Sequence, residues 1–261
     1  MLKIFAKGLG IVFTFFLIWW GLSKFDYLKV TGWENIADDL EENLGDLIWE
    51  TIERTETVSY NDTLKYHLNE MAKKLCESNN IPFEKLKIHL IEKDEVNAFA
   101  MPNHHMVIYT GLVKESSSPE ALCGVMAHEL AHMELRHVMK KLSKEIGLSL
   151  LLSMTTGGKG AQVKEVMKLL SSSAYDRKLE TEADQKAVDY LVKSKIDPKP
   201  FADFLYHLSF QNPMHEHYYW ISTHPESKAR SKDLISYIEK KKSKDEYVPL
   251  MIKETWEYIQ K

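Results

Sequence analysis

The run from Ser118 to Lys144 constrains the fold more than any other stretch. Ser118-Pro119-Glu120 has the residues of a helix start: a serine able to cap, a proline suited to the first turn and a glutamate favoured by the dipole. The helical pattern that follows runs to about Lys144 and carries HELAHMELRH, residues 128–137. His128 and His132 are four apart, so a helix places both imidazoles on one face about a turn apart, where they can grip one tetrahedral ion. A fold that uses them must bring a third donor to that face.

Glu129 projects beside the pair, within reach of a water on the metal. Zinc lowers the pKa of such a water, and a carboxylate can take its proton as it attacks a carbonyl, then pass the proton to the leaving amine. This is peptide hydrolysis in outline, with one Zn2+ per chain. The motif is short, so its context decides its meaning. His137 is a tempting third ligand, but on an unbroken helix it points away from His128, and no residue here breaks the helix. Leu135 and Val138 stand where metzincin spacing has glycine and histidine, which disfavours that class. Glu134 is also off the metal face, and both it and His137 read as structural hydrogen bonds or solvent contacts. The stronger candidate lies in KLETEADQKAVDYL, where Glu180 and Asp184 share a helix face. Glu180 can complete the His-His-Glu set while Asp184 orients a ligand imidazole from behind. Glu182 points elsewhere. By spacing alone, a solvated acidic face is the bland alternative.

At the N-terminus, Lys3 and Lys7 precede a charge-free run from Gly8 to Ser23. The run is short for a full span, but flanking lysines can snorkel and Trp19-Trp20 suit an interface. A retained anchor is preferred to a cleaved secretory signal because the bulky tryptophans sit where a signal turns small and polar. Lysines before the run and acids after it place the body outside the cytoplasm, in the periplasm or cell envelope. Cleavage would instead release the chain to the periplasm. A net charge of -4 offers no broad cationic field for nucleic acid. The run Lys240-Lys241-Lys242-Ser243-Lys244 reads as a solvated helix end. Cys76 and Cys123 are compatible with a bridge or with buried thiols.

Apolar Ile36, Leu40, Leu44, Leu47, Ile48 and Ile52 recur at helical spacing among acids, and a second helix starts at Asp62. Near Leu86 the period changes to two, and short strands around 86–90, 97–100 and 105–109 make a small antiparallel sheet the economical assignment. Further helices are expected over Gln162–Ser172, Ala174–Lys195, Lys199–Gln211 and Pro225–Lys241. The expected class is α+β, mostly helical. The expected parts are a membrane segment (1–25), an acidic amphipathic arm (26–60), a catalytic domain (61–242) and a tail (243–261). The apolar stretch Ile146 to Met154, with Gly157 to Gly160 after it, is expected to form a mobile lid over the cleft.

Four motifs in order, NAFAMPNHHMVIYTGLV, HELAHMELRH, YDRKLETEAD and STHPESKAR, carry a resemblance over about residues 60–240. The chain resembles the membrane-associated zinc metallopeptidases of the HtpX and CAAX prenyl endopeptidase superfamily. The resemblance implies a gluzincin, zincin-like fold with zinc on His128, His132 and Glu180 and with Glu129 as general base. It implies that Asn97, Ala98, Phe99 and Ala100 line the cleft, where their strand pairs with an extended peptide. It also implies that His224 stabilises the oxyanion or gates the open zinc position, and that Arg230 orients it or binds carboxylates. Without the resemblance, His224 reads as a helix-entry residue before a proline. One membrane segment, where relatives have several, favours single-anchor or periplasmic members acting on misfolded or membrane-associated proteins. The rivals are a zinc-bearing chaperone or envelope-assembly factor with little proteolysis, and a metal-free tethered scaffold.

Overall fold

The structure is a computed structural model and describes residues 33–155, 160–211, 217–225, 227–241 and 246–260. The expected membrane segment lies outside the described residues, as do residues 156–159 of the glycine-rich stretch. Among the described residues, no helix is long and apolar enough to cross a membrane. The compact body begins at Glu41.

Helix α1 (Trp33–Thr55) buries Leu44, Ile48 and Ile52 along one stripe in that body. Helix α2 (Asp62–Asn79) is capped by the Asn61 side chain, which accepts from Leu64 N–H at 3.0 Å, and buries Leu64, Leu68, Met71 and Leu75. It ends where Asn80 turns left-handed at φ 58°. Both cysteines are free, buried thiols.

Strands β1 (Lys87–Ile91), β2 (Ala98–Met101) and β3 (His105–Tyr109) form one sheet in the order β1-β3-β2. The expected all-antiparallel arrangement is corrected: β3 pairs antiparallel with β2 but parallel with β1, Lys87 opposite His105. The chain passes from β1 to β2 and leaves a strand-wide gap, which β3 then fills. Every residue of β3 is buried, as suits a central strand.

Short α3 (Thr110–Glu115) leads to α4 (Pro119–Glu134), capped as its sequence predicts: Ser118 Oγ accepts from Ala121 N–H at 3.1 Å. Helix α4 is the core helix, buried from Ala121 to Met133 and packed against β2, α8 (Arg177–Lys193) and α9 (Lys199–Leu208). The expected continuation to Lys144 is also corrected. The helix stops at Glu134, Arg136 takes the left-handed conformation at φ 55°, and α5 (His137–Glu145) starts in a new direction. Helices α6 (Leu148–Thr155) and α7 (Gly160–Ser172) follow, α7 lying against β2, α5 and the short α10 (Tyr219–Thr223). The remaining elements are α11 (Ser227–Lys240) and α12 (Lys253–Ile259).

Candidate metal centre

Helix α4 presents His128 and His132 toward α8, whose Glu180 faces them. The segment after α10 brings His224 to the same point. One donor atom from each of these four residues lies within 4.8 Å of the others. His128 Nε2 is 3.0 Å from His132 Nε2 and 3.2 Å from His224 Nδ1. Glu180 Oε1 is 3.3 Å from His132 Nε2 and 2.9 Å from His224 Nδ1, and Glu180 Oε2 is 3.7 Å from His128 Nε2. Zinc held tetrahedrally by arms of about 2.0–2.1 Å keeps its donors about 3.3 Å apart. The cluster brackets that spacing, with nitrogens and carboxylate oxygens of the types zinc takes, so the residues fit the ion. None of the four is more than 1% exposed.

Glu129 lies beside this set. Its Oε2 accepts the Ala100 N–H at 3.0 Å, its Oε1 accepts the Trp220 indole N–H at 3.1 Å, and His224 Nε2 approaches at 3.3 Å. The first contact follows from strand register. Tyr109 N–H donates to Asn97 O at 3.0 Å, which sets the phase of the hairpin so that Phe99 and Met101 direct their peptide groups to β3. Ala98 and Ala100 therefore turn theirs away from β3, and Ala100 meets Glu129. The Asn97 side chain donates from Nδ2 to Ser171 O of α7 at 3.3 Å. A cavity of about 330 Å³ runs between Asn97 and Phe99 on one side and Lys164, Met167 and Ser171 on the other.

Arg230 of α11 ties the back of the site together. Its Nε and Nη2 donate to Asp184 at 2.8 and 2.7 Å, and its Nη1 donates to His224 O at 3.0 Å and pairs with Glu180. Asp184 Oδ1 is in turn 3.0 Å from His128 Nδ1. Burial pushes the Glu180 and Asp184 carboxyls up in pKa, but Arg230 and the nearby histidines hold both below their ordinary values. Glu129 follows the same pattern: burial pushes it up, and His224, His128 and His132 together hold it at about 2. Burial pulls His224 down, yet Glu180 and Glu129 push it up to about 9. Burial dominates at His132, which falls to about 3.

Several contributors escaped the sequence reading. His137 is fully buried against His132, and Glu182 pairs with His137, so neither points away. The left-handed Arg136 that redirects His137 has no glycine or asparagine to announce it. Glu134 does stay off the metal face, 3.7 Å from His104. Tyr175 stacks on His132 with ring centroids 4.1 Å apart, and the Lys141 ammonium sits 4.1 Å over the Tyr175 ring. Trp220 stacks on His224 at 4.6 Å.

Comparison with known proteins bears on this site. The family described as Peptidase family M48 matches residues 62–238, an interval containing every residue of the centre. Metalloendopeptidase OMA1, mitochondrial, of Bos taurus is 29% identical over 164 residues, 56% of this chain and 31% of that protein. The beta-barrel assembly-enhancing protease of Yersinia pestis is 24% identical over 193 residues, 68% of this chain and 39% of that protein. The mitochondrial metalloendopeptidase OMA1 of Schizosaccharomyces pombe is 24% identical over 206 residues, 77% of this chain and 60% of that protein. The aligned part of the chain thus spans between about a third and three-fifths of these relatives.

Proposed function

The chain belongs to peptidase family M48, and from that membership we propose that it is a zinc-dependent metalloendopeptidase with His128, His132 and Glu180 as the metal ligands. The observation that carries the reading is the convergence of those three donors from α4 and α8 with Glu129 beside them. Zinc held there acidifies a water and polarises the scissile carbonyl.

Glu129 is the general base, receiving the proton of the attacking water and returning it to the leaving amine. Its Oε2 accepts one bond, from Ala100 N–H, and keeps a lone pair for the proton of the water. His224 supplies a fourth donor at rest and, once moved aside, an N–H for the developing oxyanion. Asp184 orients His128, and Arg230 holds Asp184, Glu180 and the His224 backbone in one frame. An extended polypeptide pairs with the outward peptide groups of Ala98 and Ala100, next to Asn97 and Phe99. With every centre residue buried and α7 against β2, this is a closed form. The lid proposed for this cleft is the apolar stretch 146–154, which includes most of α6.

Misfolded or membrane-associated proteins are the proposed substrates, handled outside the cytoplasm by a body tethered through its N-terminal segment. The names of the relatives, mitochondrial in two cases and beta-barrel assembly-enhancing in the third, support an organelle or envelope setting. The test begins with elemental analysis and cleavage of unfolded casein. The full chain should carry one zinc and cleave, Glu129→Gln should keep zinc and lose cleavage by about a hundred- to ten-thousandfold, and Glu180→Ala should lose zinc. Wild-type protein that holds zinc yet cleaves no better than Glu129→Gln would return the advantage to the chaperone reading.

A further inference from the structure

Each ligand imidazole has a second nitrogen, and what that nitrogen meets decides whether the first can offer its lone pair. His128 turns Nδ1 to Asp184. His132 turns Nδ1 to the Nδ1 of His137 at 3.2 Å, and the far side of His137, Nε2, is 3.3 Å from Glu182 Oε2. The rings of His132 and His137 meet edge-on, with centroids 5.1 Å apart at 71°, and His137 has no exposed surface.

We propose that His137, backed by Glu182, is the positioning residue for His132, setting the tautomer and ring orientation that direct His132 Nε2 to the metal. The argument rests on the zinc reading above. Two ring nitrogens in hydrogen-bond contact need one proton between them. If His132 offers the Nε2 lone pair, its proton is on Nδ1 and His137 Nδ1 must accept it. His137 then carries its own proton on Nε2, which lies 3.3 Å from Glu182 Oε2 but outside hydrogen-bond geometry, so Glu182 acts on it by charge. The opposite assignment, with His137 donating, protonates His132 at Nε2 and removes a donor from the cluster.

The fold makes a specific local provision for this contact. On an unbroken helix, residues five apart differ by about 140° in direction, so His137 could not return to His132. The left-handed Arg136, with its N–H bonded to Met133 O at 2.8 Å, turns the chain so that His137 opens α5 pointing inward. The same turn ends α4 and lets Arg136 pair with Glu41 at 2.7 Å, and it is what sets His137 against His132. Helix α8 then serves both imidazoles: Asp184 backs His128 directly, and Glu182 backs His132 through His137.

The experiment measures zinc affinity by chelator competition in the full chain, together with thermal unfolding of the zinc-free protein and the absorption spectrum of the cobalt-substituted form. His137→Leu fills the space without an acceptor and should weaken zinc binding about 10- to 100-fold and shift the cobalt bands, with KM little changed. His137→Asn, whose Oδ1 falls where Nδ1 accepts, should recover most of that affinity and the cobalt spectrum. Glu182→Gln should weaken zinc binding in the same direction by a few fold. If His137→Leu folds and binds zinc within twofold of wild type, the proposal is wrong. It is equally wrong if His137→Asn binds no better than His137→Leu at matched zinc-free stability. Should His137→Leu fail to fold, Glu182→Gln decides, since an unchanged zinc affinity and cobalt spectrum in that variant overturn the relay. A wild-type chain that takes up no zinc fails the reading of the site itself, a different outcome from zinc binding that ignores His137.

Discussion

Arg230 brings one guanidinium to two carboxylates that are almost wholly out of water, and its fork matches Asp184 at two points. Removing it strands both charges. Arg230→Met should therefore destabilise the zinc-free chain by about 3–5 kcal/mol in urea unfolding. Arg230→Lys keeps the charge but loses the fork, and should fall between the two. Away from the centre, His105 joins Asp46 and His89 at 2.9 Å each. Burial, set against the Asp46 contact, holds His105 at about 4, below its ordinary 6.5. Protons then bind the unfolded chain first, so stability is full above pH 6.5 and falls as pH drops toward 4, by up to about 3 kcal/mol at 1.36 kcal/mol per unit. The pH dependence of the urea midpoint checks this, and His105→Gln should reduce it, leaving the share of His89 and His132, which burial also holds down at about 3. At this scale the sequence was most legible where spacing alone set direction: His128, His132, Glu180 and Asp184 all face inward as i,i+4 pairs should. It failed at His137 and Glu182 because their positions depend on a backbone turn made by an arginine.

Helix α4 must approach α9 closely, and Gly124 allows it. A Cβ there would lie 2.3 Å from Phe201 Cβ and 2.7 Å from its Cγ. Gly124→Ala should destabilise by about 1–3 kcal/mol, read as a lowered Tm. Because Gly124 is one turn before His128, whose ring lies 5.9 Å from that of Phe201, zinc affinity should fall as well. The starts of α2 and α4 were readable because caps are local chemistry: Asn61 and Ser118 bond to backbone three residues on. The sheet was half readable. Alternation marks strands, but nothing within β1 tells it that β3, rather than β2, will become its neighbour. Pairing order is settled by how far the 92–97 connection carries the chain, a property of the assembled layers and not of any window in the sequence.

Over the whole molecule, the donors come from residues as far apart as His128 and His224, on three separate segments. A bound ion therefore cross-links the body, and zinc in about thousandfold excess over its Kd should add about 4 kcal/mol. A strong chelator should lower the Tm of the wild type and leave Glu180→Ala, already metal-poor, unmoved. The periodicity of helices and short strands had indicated a mostly helical α+β body, as the described residues show. The depth at which the centre is closed was not legible, since it arises from α7 and α10 meeting across β2. Trp220 sits at that junction, its backbone N–H tied to Val96 O, its indole bonded to Glu129 and stacked on His224. An indole so placed emits at short wavelength and is quenched by the imidazole stacked on it. Any event that admits solvent or substrate should brighten the emission and shift it to the red, against a Trp220→Phe baseline. The molecule thus carries its own optical gauge of opening, readable in milliseconds and without a label.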